Sequence, residues 1–184
     1  MAQTMRACFL VDVNKLELRR TPVPTPGPGE ALLKVKACTV CGSDIKIRRY
    51  GNKRVQMPSI IGHEVAGEVV TVGRDVRAVS EGDRVQIGAD VPGYWNENVA
   101  GKDTFIDYAT GHEFPGGFAE YMLLNEKLLR FGPVSPIPDD LAYEEAALAE
   151  PLACAINGLE LAQFAFGKSI CVIGLGPIGC MVLE

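Results

Sequence analysis

The sequence predicts a mainly β domain of short strands, then linking helices, then the first strand–turn–helix unit of an α/β domain, truncated at Glu184. Three observations carry that order. Short apolar, β-branched runs separated by turn residues fill the chain up to about Ser135. Helix formers replace them after Pro138. A buried-strand run at residues 169–174 then leads into a glycine-rich turn.

Taken in order, residues 5–11 and 31–40 read as strands, the second alternating Leu33, Val35 and Ala37 with polar or basic neighbours. Between them, residues 21–29 hold four prolines, which suit an extended surface loop and not a sheet interior. Residues 65–72 and 84–87 are further strands, the first ended by Gly73, the second introduced by the turn Glu81-Gly82-Asp83. Another spans 118–124, after Gly116-Gly117. Asp139 or Asp140 is placed to cap a helix over 141–149, and Pro151 to open a second one running to about residue 164. The expected division is a domain over 1–150 and, over 151–184, a linking helix with the start of the next domain.

Composition narrows the function classes. A net charge of −5 leaves no basic surface for nucleic acid or an anionic membrane. The apolar stretch 169–183 is too short for a membrane span and is broken by glycine and proline. The N-terminus resembles neither a signal nor a transit peptide. Six cysteines, scattered along the chain, fit a reducing cytoplasmic setting with thiols free to bind metal better than a secreted disulfide framework.

Two groups of residues carry chemistry. Gly174, Gly176 and Gly179 are spaced G-x-G-x-x-G between an apolar strand pattern and an apolar helix pattern. Glycine there permits a tight turn, approach of the backbone to a pyrophosphate, and close packing of helix on strand. Pro177 and Ile178 complete a turn suited to NAD or NADP, with Pro177 in the first helical turn. Upstream, Cys41-Gly42-Ser43-Asp44 ends a strand, Gly62-His63-Glu64 follows, and Glu150-Pro151-Leu152-Ala153 opens the linking helix. Thiolate, imidazole and carboxylate are the ligands of a catalytic zinc that keeps one position open. Singly, each has a plain explanation: a buried thiol, a turn histidine, a helix-surface charge. Together they define a candidate site.

From Gly62 the chain reads Gly-His-Glu, then Gly67, Gly73 and Val76. This resembles the signature of zinc-dependent medium-chain alcohol and polyol dehydrogenases. Gly82-Asp83-Arg84-Val85, Gly116-Gly117-Phe118-Ala119-Glu120-Tyr121 and Glu150-Pro151-Leu152-Ala153 fall in that family's order. The chain looks like the sorbitol and threonine dehydrogenase branch, in which a Glu-Pro-Leu-Ala carboxylate stands near the metal in place of a cysteine. The resemblance implies a GroES-like catalytic domain followed by the beginning of a Rossmann-type domain, one catalytic zinc, and NAD or NADP. It assigns Cys41 and His63 as zinc ligands, Glu150 as a third ligand or holder of the metal's water, and Glu64 as an alternative ligand. Asp44 would accept a hydrogen bond from the ring nitrogen of His63 turned away from the metal. Ser43 would touch the substrate hydroxyl and start the proton path. The implied substrate is a small secondary alcohol, polyol or amino alcohol, and the implied full-length enzyme is a homo-oligomer. A Lewis acid lowers the pKa of a bound alcohol so that hydride can leave its carbon for nicotinamide.

Two departures are visible. Residues 86–116 contain no cysteine, so the second, structural zinc of many relatives is not expected. That lobe instead carries Tyr94-Trp95-Asn96-Glu97-Asn98 and the acidic-aromatic stretch 103–114, a remodelled or disordered loop. Lys46 stands where relatives often have a relay histidine, so the proton must leave by water or another group. Cys38 and Cys41 form a C-x-x-C, but a thioredoxin-like motif needs a βαβ setting that is missing. His112 lies in a second Gly-His-Glu at 111–113, read as a solvent-exposed loop histidine. The competing functions are a zinc-free quinone-reductase-like enzyme and a non-catalytic GroES-like interaction module. Without the remaining strands of the nucleotide domain, the 184-residue chain by itself is expected to be inactive, to bind NAD(H) negligibly and to self-associate.

Overall fold

A computed structural model describes residues 3–91 and 108–184. In chain order the described elements are β1 (Thr4–Asp12), β2 (Lys15–Pro22), β3 (Ala31–Thr39), α1 (Gly42–Tyr50), β4 (Ser59–Ile60), β5 (Glu64–Val72), β6 (Arg84–Ile87) and β7 (Asp90–Val91). They continue with β8 (Tyr108–Ala109), β9 (Tyr121–Leu124), α2 (Glu126–Phe131), β10 (Val134–Pro136), α3 (Tyr143–Ala146), α4 (Ala149–Leu161) and α5 (Pro177–Leu183). The expected loop features at 94–98 and 103–107 lie outside the described residues.

A five-stranded antiparallel sheet in the order β10-β6-β5-β3-β9 forms the centre. Leu33, Val65, Val69, Val85, Ile87, Met122 and Leu124 bury their side chains there and hold α2 through Leu128 and Leu129. Burying one such side chain contributes roughly 1.5–3 kcal/mol. On another face, Ala66, Ile137, Ala146 and Ala147 pack α3 against β3 and β5. A second sheet, β2-β1-β4, is tied to the segment just before β9 by an isolated antiparallel bridge between Ala7 and Ala119. Leu10, Ile47, Val55 and Ile61 form a cluster that seats α1 against β1.

Several elements differ from the sequence expectation. Residues 42–50 form a helix that no apolar stripe announces, since only Asp44 and Ile47 are buried. Cys41 caps it, its Sγ accepting from the Ser43 amide at 3.5 Å, and Asp44 Oδ2 accepts from the Cys41 amide at 3.0 Å. The strand Lys15–Pro22 was not foreseen because Leu16 and Leu18 point outward from an edge strand. It takes Thr21 and Pro22 from the proline stretch, a position an edge strand tolerates. Residues 118–120 precede β9 and do not belong to it.

Asp139 and Asp140 lie in a turn and do not cap a helix. Glu145 instead reaches back to the Ala142 amide at 2.9 Å, ahead of the short α3. Pro151 is the third residue of α4, which ends at Leu161, before the expected residue 164. The expected boundary between residues 150 and 151 falls inside this helix.

The run 169–174 forms no strand. A strand of a parallel sheet is stabilised by ladders on both edges, and no described strand lies beside this one. Ile170 and Ile173 are exposed as a result, Ile173 almost completely. The helix expected after the glycine turn does form, with Gly176 as its cap and Pro177 as its first residue.

Candidate metal centre

The end of β3, the start of α1 and the start of β5 meet at one point. β3 pairs with β5 so that Thr39 stands opposite Glu64. Cys41 follows β3 into the helix cap, and His63 and Glu64 enter β5 directly after Gly62. Gly62 has φ +96° and packs so tightly that a Cβ would lie 2.7 Å from the Phe118 ring. Gly116 approaches it from the other side, a Cβ there falling 2.2 Å from the Gly62 carbonyl oxygen. These contacts fix the backbone immediately before His63.

Ligand atoms of Cys41, His63 and Glu64 lie within 4.8 Å of one another, with His63 and Glu64 buried. The Thr39 hydroxyl donates to Glu64, and Ser43 Oγ lies 3.3 Å from His63 Nε2. On the far side of the ring, His63 Nδ1 faces Asp44 Oδ1 at 3.5 Å. Both atoms are buried and have no other partner, and their separation is longer than a formed hydrogen bond. Burial pushes the His63 imidazole down, but the Asp44 carboxylate and the Cys41 thiol outweigh it and lift the group to about 9. The surroundings therefore favour positive charge at this point. Thiol, imidazole and carboxylate in a partly open cluster, with a carboxylate behind the imidazole, fit a zinc ion.

Glu150 is not part of the three-residue cluster. It lines the cavity of about 310 Å³ into which the cluster opens, together with Ser43, Asp90 and Cys154. Burial pushes its carboxyl up, as does the nearby Glu64, against an opposing pull from His63. Cys154, one helical turn on, donates to Glu150 Oε1 at 3.7 Å.

The glycine turn stands next to this cluster. Gly174, Gly176, Pro177, Ile178 and Gly179 line a second cavity of about 490 Å³, which also has Thr39, Cys41 and Glu64 in its wall. Gly174 has φ +100°, and a Cβ on Gly179 would fall 2.0 Å from the Gly174 carbonyl oxygen, whereas one on Gly176 would meet nothing within 4 Å. Strain at the first glycine, close packing at the third and open space at the second match the three roles of a pyrophosphate turn.

Other expectations can now be placed. Of the C-x-x-C pair, Cys41 caps α1 but Cys38 lies within the antiparallel strand β3 and points to Gly62 and Gly117. Burial pushes the Cys38 thiol up to about 12, with the Asp44 and Glu64 carboxylates adding to the shift, so it is a poor nucleophile. Lys46 is exposed on α1. His112 is not the exposed loop residue expected. It is half-buried and lines the same cavity as His63, the two rings 6.0 Å apart. The repeated Gly-His-Glu was the one sign of it in the sequence. Arg54 and Asp90, also in the cavity wall, had no signal at all.

The family model described as "Alcohol dehydrogenase GroES-like domain" matches residues 27–138. A sorbitol dehydrogenase of Bacillus subtilis is 32% identical over 98% of this chain and 52% of its own length. A D-xylulose reductase of Saccharomyces cerevisiae is 32% identical over 97% of this chain and 51% of its own. Among solved structures, a Sinorhizobium meliloti protein assigned as a zinc-binding dehydrogenase and bound to NADP aligns with TM-score 0.85 and 32% identity, over 98% of this chain and 52% of that one. The 2R,3R-butanediol dehydrogenase of Bacillus subtilis aligns with TM-score 0.84 and 30% identity, over 97% and 53%. The chain spans about half the length of the curated relatives it matches. The fold is thus mainly β and GroES-like, and with more than half its length matched, the chain belongs to the family of alcohol dehydrogenase GroES-like domains.

Proposed function

We propose that this chain is the zinc-binding portion of an oxidoreductase that moves a hydride between a small secondary alcohol, polyol or amino alcohol and NAD or NADP. The observation that carries the reading is the convergence of Cys41, His63 and Glu64 beside the glycine turn 174–179. Residues 1–150 act as the catalytic domain and 151–184 as the link to the nucleotide-binding domain. The enzyme works in the cytoplasm as a homo-oligomer.

Cys41 and His63 would hold the metal, with Glu150 as a third ligand or holder of its water and Glu64 as an alternative ligand when no substrate is present. Bound there, zinc supplies Lewis acidity toward an alcohol oxygen, and the nicotinamide accepts the hydride. Asp44 keeps the proton of His63 on Nδ1, so that Nε2 is the ligand atom. Ser43, whose Oγ already lies 3.3 Å from Nε2, takes the substrate hydroxyl's hydrogen bond and passes its proton outward. Because Lys46 faces solvent on the helix surface, the path beyond Ser43 runs through water. The turn at Gly174, Gly176, Pro177, Ile178 and Gly179 receives the pyrophosphate.

The test is reduction of NAD and NADP by a panel of secondary alcohols and polyols, using the enzyme that carries this chain. Activity should vanish on chelation and return with zinc. Activity indifferent to chelator and zinc would instead identify a zinc-free reductase.

A further inference from the structure

His112 is one of the polar groups in the cavity that the reaction described above leaves unused. The turn that presents it is secured without its ring. The Thr110 amide donates to Ala89 O at 3.0 Å, Gly111 to Phe114 O at 2.8 Å, and Phe114 to Ala109 O at 3.2 Å. Glu113 accepts from the Ala109 amide at 3.0 Å and from Arg54 Nε at 2.6 Å, tying the turn to the segment after α1. The imidazole is therefore not needed to hold the loop, yet it is half-buried against the cavity.

Nδ1 lies 3.4 Å from the Thr110 carbonyl oxygen, which can only accept; a hydrogen on Nδ1 suits that contact and leaves Nε2 as an acceptor. Nε2 has no protein partner among the described hydrogen bonds. The ring is tilted 54° to that of His63, with centroids 6.0 Å apart. His112 thus shares with Cys41, His63 and Glu64 the cavity in which a ligand bound at those three residues would lie.

We propose that His112 is a specificity-determining residue of this site: its Nε2 accepts a hydrogen bond from the hydroxyl adjacent to the reacting one, selecting vicinal diols over monohydric alcohols. The inference rests on the dehydrogenase reading above and adds a residue to it. A monohydric alcohol leaves the half-buried acceptor without a partner, and an unpaired polar group in a pocket is what discriminates between such substrates.

Propylene glycol and isopropanol share a carbon skeleton and differ by one hydroxyl, so they are the probes. In the zinc-loaded enzyme, His112→Ala should lower the ratio of kcat/KM for the diol to that for the monohydric alcohol by about tenfold. His112→Gln, which keeps an acceptor, should recover part of it, and zinc content should stay as in the wild type. An unchanged ratio, or loss of zinc with the imidazole, would overturn the assignment. A second arm needs no turnover. In the 15N-histidine-labelled enzyme, the ring signal lost in His112→Gln is assigned to His112. Propylene glycol should shift Nε2 of His112 and isopropanol should not; equal response to both, or none, contradicts the proposal. A wild-type enzyme inactive on both alcohols would count against the dehydrogenase reading, and the ring signal would then decide the role of His112 alone.

Discussion

His63 Nδ1 and Asp44 Oδ1 face each other across 3.5 Å in the interior, and neither has any other hydrogen-bond partner. Leaving two such groups unpaired is costly in a native protein. On the proposed reading, a cation on the opposite nitrogen would make the ring a stronger donor toward the carboxylate. Asp44→Asn should therefore keep the fold and weaken zinc binding by about 10–100-fold in a chelator competition. An unchanged affinity would mean that the carboxylate serves only the cap of α1, where its other oxygen accepts from Cys41.

Glu64 and Glu150 should separate in experiment. Glu64 belongs to the donor cluster and Glu150 only to the cavity wall. In the absence of substrate, Glu64→Gln is expected to reduce zinc affinity more than Glu150→Gln, while Glu150→Gln should act mainly on turnover. The reverse ranking of affinities would assign the resting ligand to α4.

Gly62→Ala tests how the backbone aims His63. The substitution places a side chain at φ +96° and a Cβ 2.7 Å from the Phe118 ring. A loss of about 1–3 kcal/mol in urea unfolding is expected. An unaltered midpoint would show that Phe118 moves aside freely.

Glu113 gives a pH dependence. Burial pushes its carboxyl up, but donation from Arg54 and the Ala109 amide outweighs this and holds it below the ordinary glutamate range. A depressed folded-state value means stability that is fully present above the unfolded-state value and lost as pH falls through the folded one. Comparing wild type with Glu113→Gln, the difference should be constant near neutrality and fade on acidification below the glutamate range. For a pair this exposed it should not exceed about 1 kcal/mol. A difference that grows on acidification would contradict the assignment.

What the sequence made legible was local. Cys41, His63 and Glu64 were readable because each sits in a short motif at a strand end, and β5 and β6 because their apolar runs are bounded by turns. Helix α1 was hidden because its nine residues bury only Asp44 and Ile47. Strand β2 was hidden because an edge strand leaves Leu16 and Leu18 outside. The run 169–174 was read as a strand from its apolar pattern, but a strand exists only where a ladder partner does. The nearness of His112 to His63 comes from tertiary approach of two backbones: a Cβ on Gly111 would lie 3.0 Å from the Gly62 amide nitrogen. No spacing along the chain encodes that.

Metal analysis of the purified protein, alone and with single substitutions, bears most directly on the central claim. The donor cluster, together with the absence of cysteine from residues 86–116, predicts one zinc per chain in the wild type. It predicts loss of that zinc in both Cys41→Ala and His63→Ala. A content near two per chain, or one zinc surviving both substitutions, would contradict the assignment.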